Sequence, residues 1–295
     1  MKMKVLNFGS LNVDYVYQVD HMLIGGETQA SSGMEIFTGG KGFNQSAALA
    51  KAGLDVYHAG QIGEDGMIFL DGCKEYGIHD DFIRKVEGKS GHTIIQVDKH
   101  GQNSILLYGG SNRSLTKEFV DEVLAHFEEG DFLVLQNEIN MLDYIIDAAY
   151  EKRMVIVLNP SPMDANLDCC DLSKISYFLL NELEGAALTG EENLEKVPGK
   201  LLEKYPNAKI VLTLGQDGSV YMDQDKTVKQ GIYPVKAVDT TAAGDTFTGY
   251  FIAGVIAGEP MEKVLDRAAK ASAIAVSRPG AAPSIPFRAE VEKWT

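Results

Sequence analysis

Short apolar runs alternating with stretches long enough to hold a helix constrain this chain most. VLNFG (5–9), FLVLQ (132–136), VIVLN (155–159), YFLLN (177–181) and KIVLTLG (209–215) read as buried strands. Between the second and third lies MLDYIIDAAYEKR (141–153), whose apolar residues recur at the three and four spacing of an amphipathic helix. Strands apolar on both faces need helices on both sides, so the pattern specifies a doubly wound, mostly parallel sheet. The runs end on or near polar residues: Asn12 and Asp14, then Glu138, Asn159, Asn181 and Thr213. Ligands of open α/β sheets sit beyond the carboxyl ends of strands, so this set marks a candidate site.

Two segments break the rhythm. DYVYQVD (14–20) with ETQASSGMEIF (27–37), and GHTIIQVDKHGQNSILLYGG (91–110), read as strands outside the core, the second as a hairpin around Asp98-Lys99-His100-Gly101. They are expected to pair into a small sheet covering the site, with lid strands inserted at about 14–37 and 91–109. Without repeats or long linkers, residues 1–295 are expected to form a single α/β domain. Charge narrows the partners: 27 Lys and Arg against 42 Asp and Glu give a net −15 with no basic block, which disfavours nucleic acid and anionic membrane. No apolar run approaches the ~20 residues of a membrane span. Cys73, Cys169 and Cys170 form no C-x-x-C pair, and Asn and Asp come too early in MKMKVLNFGSLNVD for a signal-peptide core. A cytoplasmic location without a thiolate metal site is the expectation. The six histidines show no H-x-x-x-H spacing and receive no metal, and Trp294 reads as packing.

Four stretches can carry chemistry. In TGGKGFNQSAALAKAG (38–53) a Gly-Gly pair precedes a helix stopped by Gly53. Gly42 follows Lys41 where a Walker A loop has Ser or Thr, and G-x-G-x-x-G is not met. Lys41 and Asn44 either hold hydroxyls or a phosphate, or form a solvated turn. In AVDTTAAGDTFTGYFIAG (237–254), Ala242, Ala243 and Gly244 fall at the first turn of a helix expected to run to about Ala257. Unpaired amides and the helix dipole make that turn an anion site, and small side chains leave room for a phosphate. Asp245 beside it is either a first-turn acid, worth roughly 0.3–1 kcal/mol, or a general base for a hydroxyl attacking a phosphoryl group on those amides. Capping alone does not need Ala-Ala-Gly, which favours the second. In NELEGAALTG (181–190), Asn181 and Glu184 share a helix face, as oxygen groups for Mg²⁺ or as a capping pattern. TLGQDG (213–218) is a glycine turn able to line a nucleotide.

Taken in order, these stretches resemble the PfkB (ribokinase-like) carbohydrate kinase family nearly end to end. GSLNVD (9–14) is similar to its opening sugar-binding segment, GGKGFNQSAA (39–48) to its first signature, DTTAAGDTFTG (239–249) to its second, and NELE (181–184) to its N-x-x-E magnesium motif. The resemblance implies a ribokinase-like three-layer α/β/α sandwich with a Rossmann-like, mostly parallel sheet and a small β-sheet lid. It implies transfer of the ATP γ-phosphoryl group to the 5-hydroxyl of D-ribose. Another sugar or a nucleoside is the rival acceptor, and a non-catalytic sugar-binding regulator the remaining reading. Asp245 would then be the base and the amides of Ala242, Ala243 and Gly244 the anion hole. Asn12, Asp14, Gly40, Lys41, Asn44 and Glu138 would hold the sugar. Asn181 and Glu184 would organise Mg²⁺ and the phosphates, with Thr213, Gly215 and Gly218 along ATP. A monovalent cation, usually K⁺, would lie among Asp239, Thr241, Ala275, Arg278, Gly280 and Ser284. A homodimer through the lid sheet is also implied. Three positions depart from the family pattern: Ala242 stands where Gly is frequent, IGGE (24–27) lacks the usual Pro, and Phe43 is larger than the usual small residue, a change able to reshape the sugar pocket.

Overall fold

The computed structural model describes residues 3–294. Strand β1 (Val5–Phe8) is buried throughout and leads through Gly9–Leu11 into β2 (Asn12–Gln18), which leaves the core. Strand β3 (Gly33–Gly39) returns antiparallel to β2 and delivers the chain to helix α1 (Lys41–Lys51). Then come β4 (Val56–Ile62), α2 (Ile68–Tyr76) and β5 (His79–Lys85), followed by the hairpin β6 (Gly91–Val97) and β7 (Asn103–Tyr108). Strand and helix alternate through α3 (Lys117–Leu124), β8 (Phe132–Gln136), α4 (Leu142–Glu151), β9 (Val155–Asn159) and β10 (Tyr177–Asn181). After α5 (Glu182–Thr189), α6 (Val197–Lys204) and β11 (Lys209–Thr213), the short β12 (Ser219–Met222) and β13 (Thr227–Gln230) run antiparallel. Helices α7 (Ala243–Ile256), α8 (Met261–Val276) and α9 (Arg288–Lys293) follow.

The main sheet has the order β13-β12-β11-β10-β9-β8-β1-β4-β5, and the lid the order β3-β2-β6-β7. From β5 to β11 all main-sheet pairs are parallel. The chain leaves β1 towards β4 on one side and returns to β8 on the other, so the order reverses between β1 and β8. That switch point opens a crevice at their carboxyl ends. Side chains alternate between two cores: Val5 packs with α1, α2, α7 and α8, while Leu6 and Phe8 pack with α3, α4 and α6. The three layers and the separate lid agree with the sequence expectation.

The differences are local. The main-sheet strand β4 does not read as an apolar run because it buries His58 and Gln61, whose side chains bond inside: His58 Nδ1 to Ser46 Oγ (2.7 Å), and Gln61 Oε1 accepting from Ser114 Oγ (2.5 Å). The lid strand expected over 27–37 begins only at Gly33, since Gly25–Ser32 is a largely exposed irregular stretch, joined to β2 by the Ser32 amide on the Gln18 carbonyl (2.9 Å). Among the described residues no helix is long and apolar enough to cross a membrane.

Candidate active site

At the switch point, Gly9–Leu11 lies against the turn that starts α1. A Cβ on Gly42 would stand 2.2 Å from the Ser10 amide nitrogen, so only glycine permits this approach. The Gly42 amide donates to Ser10 Oγ (3.1 Å), and Ser10 Oγ donates to Glu138 Oε2. The same carboxylate oxygen accepts the Lys41 amide (2.9 Å). Glu138, just beyond β8, is thereby fixed against the loop after β1. Asn12 Oδ1 accepts from Asn112 Nδ2 (2.7 Å), and Asp14 Oδ1 from Thr93 Oγ1 (2.5 Å). Asn12, Asn112, Arg113 and Glu138, roofed by Leu107 and Gly109, line a cavity of about 200 Å³. Asp14 stands beside it and Gly40 caps α1. Burial pushes the Asp14 carboxyl up to about 6 despite the Thr93 bond, and nearby Glu138 pushes the same way. Burial also raises Glu138, opposed by the Ser10 bond and the Lys41 ammonium.

Helix α7 begins on the other side of Lys41. Ala242 caps it in the left-handed region (φ 60°, ψ 12°), which costs an L-residue ~1–2 kcal/mol and explains why Gly is frequent there. The Ala243 amide turns onto the Thr240 carbonyl (3.3 Å), whereas the amides of Ala242, Gly244 and Asp245 find no acceptor among the described residues. The open donors therefore include Asp245, while Ala243, expected among them, is partly engaged. A Cβ on Gly244 would meet nothing within 4 Å, so the space before this turn is free. Asp245 is buried, with Gln45 Nε2 donating to its Oδ1 (3.0 Å). Burial raises its carboxyl, and the Lys41 ammonium, Gln45 and Asn44 pull it back. For Lys41, burial works downward, yet Asp245, Glu138 and Glu184 together hold the ammonium above its ordinary value. Lys41 is thus the shared cation of three carboxylates rather than part of a solvated turn. Asn44 Oδ1 is buried without a partner and does not line the cavity beside Asn12.

A second cavity of about 220 Å³ is lined by Lys41, Asn181, Glu184, Thr213, Gly244 and Asp245 among others. It adjoins the first through the Lys41 amide on Glu138. Asn181 and Glu184 form a reciprocal capping box at α5: Glu184 N to Asn181 Oδ1, Asn181 N to Glu184 Oε2, and Asn181 Nδ2 to Glu184 Oε1, each 3.0 Å. The capping reading holds, and the same pair faces the cavity. Gly215 and Gly218 sit in the turn after β11, closed by the Leu214 amide on the Gly218 carbonyl (2.8 Å), and do not line it. Among the described residues no three His, Cys, Asp or Glu converge as a metal cage. A divalent ion at Glu184 would fit only by taking most ligands from phosphates and water, the usual habit of Mg²⁺.

The structure also joins 239–241 to 275–284. Asp239 accepts the Thr241 amide (2.9 Å) on one oxygen and the Gly280 amide (3.0 Å) on the other. The Arg278 amide bonds the Ala275 carbonyl (3.0 Å), its guanidinium pairs with Glu290 (2.8 Å), and Ser284 Oγ bonds the Ala281 carbonyl (2.8 Å). The Arg278 side chain is thus committed elsewhere, and only its carbonyl is left to offer a cation.

The family described as pfkB family carbohydrate kinase matches residues 2–288. The chain belongs to the pfkB family of carbohydrate kinases. A ribokinase from Schizosaccharomyces pombe is 34% identical over 98% of this chain and 96% of its own length. Among solved structures, a ribokinase from Thermotoga maritima has a TM-score of 0.89 at 32% identity, covering 99% of this chain and 98% of that one. A ribokinase from Arabidopsis thaliana complexed with ribose and ATP has a TM-score of 0.89 at 29% identity, covering 100% of both chains. As a pfkB kinase the protein is a phosphotransferase that acts on a sugar hydroxyl.

Within this pfkB site several residues carried no sequence signal. Thr93 and Asn112 reach it from the lid and the loop after β7, distant in sequence, and Ser10 and Gln45 lay unremarked inside quoted motifs. Phe43 corrects a sequence expectation. It is fully buried, 5.1 Å between ring centroids from Phe69, with its tip on Gly72, so it fills the core and not the sugar cavity.

Proposed function

We propose that the chain transfers the γ-phosphoryl group of ATP to the 5-hydroxyl of D-ribose. The observation carrying this reading is the pair of adjoining cavities with Asp245 and Lys41 at their junction. The roofed cavity presents Asn12 and Glu138, with Asp14 beside it, a polar lining suited to a small polyol; the other has open amides at a helix start, suited to phosphate. Ribose and ATP are the ligands named for the Arabidopsis neighbour.

The sugar enters under the lid, with Asn12, Asp14, Gly40, Lys41, Asn44 and Glu138 ordering its hydroxyls. Asp245 takes the proton from the attacking hydroxyl. The amides of Ala242, Gly244 and Asp245, with Ala243 adjusting its turn, hold the transferring group, and the Lys41 ammonium balances charge spreading onto its oxygens. The nucleotide lies along Asn181, Thr213 and the Gly215–Gly218 turn. Mg²⁺ bound near Glu184 through water would screen the phosphates. K⁺ held by carbonyls of Thr241, Ala275, Arg278 and Gly280, with Asp239 and Ser284 bracing the loop, would support the start of α7. We place the enzyme in the cytoplasm, in keeping with its three free cysteines, as a homodimer joined through the lid, because β7 is exposed along its whole length and carries Ile105 and Leu106.

The test is phosphoryl transfer from Mg·ATP to D-ribose, 2-deoxyribose, fructose and inosine, in K⁺ and in Na⁺ buffer. Ribose should be preferred, with a higher rate in K⁺. Turnover confined to inosine or fructose would overturn the acceptor while leaving the phosphoryl-transfer chemistry. An equal rate in both salts would remove the cation.

A further inference from the structure

Behind Asp245 the apolar core is crossed by a line of buried amides. Asn7 on β1, Gln45 on α1 and Gln136 at the end of β8 are all fully buried. Asn7 Nδ2 donates to the Gly42 carbonyl (2.6 Å). Gln136 Nε2 donates to Asn7 Oδ1 (2.9 Å) and to Gln45 Oε1 (2.6 Å), and Gln45 Nε2 donates to Asp245 Oδ1 (3.0 Å).

An amide group can turn over, exchanging donor for acceptor, so its orientation must come from its partners. Here it comes from a backbone carbonyl, which only accepts. The Gly42 carbonyl forces Asn7 to point its NH₂ there and its oxygen towards Gln136. Gln136 must then donate to that oxygen, and its second N–H faces Gln45. Turning Gln136 over would set oxygen against oxygen at both contacts. Gln45 accepts from Gln136 and so must turn its own NH₂ to Asp245. A second branch agrees: Asn7 Nδ2 also donates to Ser46 Oγ (2.8 Å), leaving the Ser46 hydroxyl to donate to His58 Nδ1 (2.7 Å). Burial pushes His58 down to about 4, so its ring is neutral and able to accept.

We propose that Gln45 is a positioning residue, oriented through Gln136 and Asn7 by the Gly42 carbonyl, that holds Asp245 Oδ1 by a donor and leaves Oδ2 to take the sugar proton. The proposal rests on reading Asp245 as the base. Its consequence is electrostatic as well as geometric: a donor favours the charged carboxylate and opposes the burial that would protonate it. The charged groups facing Asp245 are Lys41 from α1, Glu138 after β8 and, across the cavity, Glu184 from α5. Gln45 differs from all three in being unable to titrate, so its contribution is constant with pH.

The test is the pH profile of single-turnover transfer in Gln45→Met, which keeps length and loses the donor. The acid limb should move up by about one pH unit, with about tenfold loss on the acid side of the parent's limb and recovery towards the parent rate at high pH. Gln136→Met should move the limb the same way, because it frees Gln45 to turn its oxygen towards Asp245, and it decides the matter if Gln45→Met does not fold. A uniform loss with an unmoved limb, or a profile like the parent's, would overturn the proposal. Asp245→Asn in the same assay separates the two levels. Transfer surviving in that variant removes both the base and its holder, while its loss beside an unmoved Gln45→Met limb removes only the holder.

Discussion

Asp14 shows how a single side chain at this site works against stability. Its carboxyl is raised to about 6 in the fold from an ordinary 3.8, chiefly by burial, so folding favours the protonated form. The stability is full below pH 4, falls between about 4 and 6, and the penalty is complete above 6. Asp14→Asn should therefore melt higher than the parent at pH 7–8 and equally at pH 4, while its KM for sugar rises at least tenfold; equal melting at both pH values would contradict the burial argument. Parent sugar affinity should also weaken as pH drops below about 6. Gly244 makes the opposite case. Its added methyl meets only open space, so Gly244→Ala should keep or gain up to ~1 kcal/mol in stability. If that space belongs to the transferring group, turnover should fall about a hundredfold. Calorimetry and initial rates on one preparation read both.

Among the elements, the crossing of α1 and α7 brings Lys41 and Asp245 together. A Cβ on Gly249 would stand 2.5 Å from the Ala48 Cβ and 2.6 Å from its carbonyl carbon, so the helices touch backbone to backbone. Gly249→Val should cost ~1–3 kcal/mol through overpacking and lower the transfer rate by displacing the start of α7. A thermal melt matching the parent's would show that the crossing can open. Legibility in the sequence followed the same division. β1 and β8–β11 read as apolar runs because they are buried on both faces with few polar groups. β4 escaped because its buried His58 and Gln61 side chains bond to Ser46 and Ser114 on other elements, which no local pattern reveals. The two signatures were legible because close backbone approach leaves strings of small residues. Gln45 and Asn112 were not, since an amide becomes functional only through the partners that fix its orientation.

For the whole molecule, the lid and the switch point together frame the site: the lid covers one cavity, α7 opens the other, and Asp245, the proposed base, lines the second beside Lys41. The lid is also where assembly is expected. Ile105→Glu on the exposed β7 should shift the protein from dimer to monomer in sedimentation at micromolar concentration, and a monomeric parent would end that part of the account. The proposed chemistry rests on Asp245 drawing the proton from the sugar hydroxyl at the α7 terminus. Its most direct test is single-turnover transfer from Mg·ATP to ribose in the parent and in Asp245→Asn, with ATP and ribose binding measured on both. Asp245→Asn should still bind ATP and ribose while its transfer rate falls about 10²–10⁴-fold. A rate within tenfold of the parent, with both ligands bound, would contradict it.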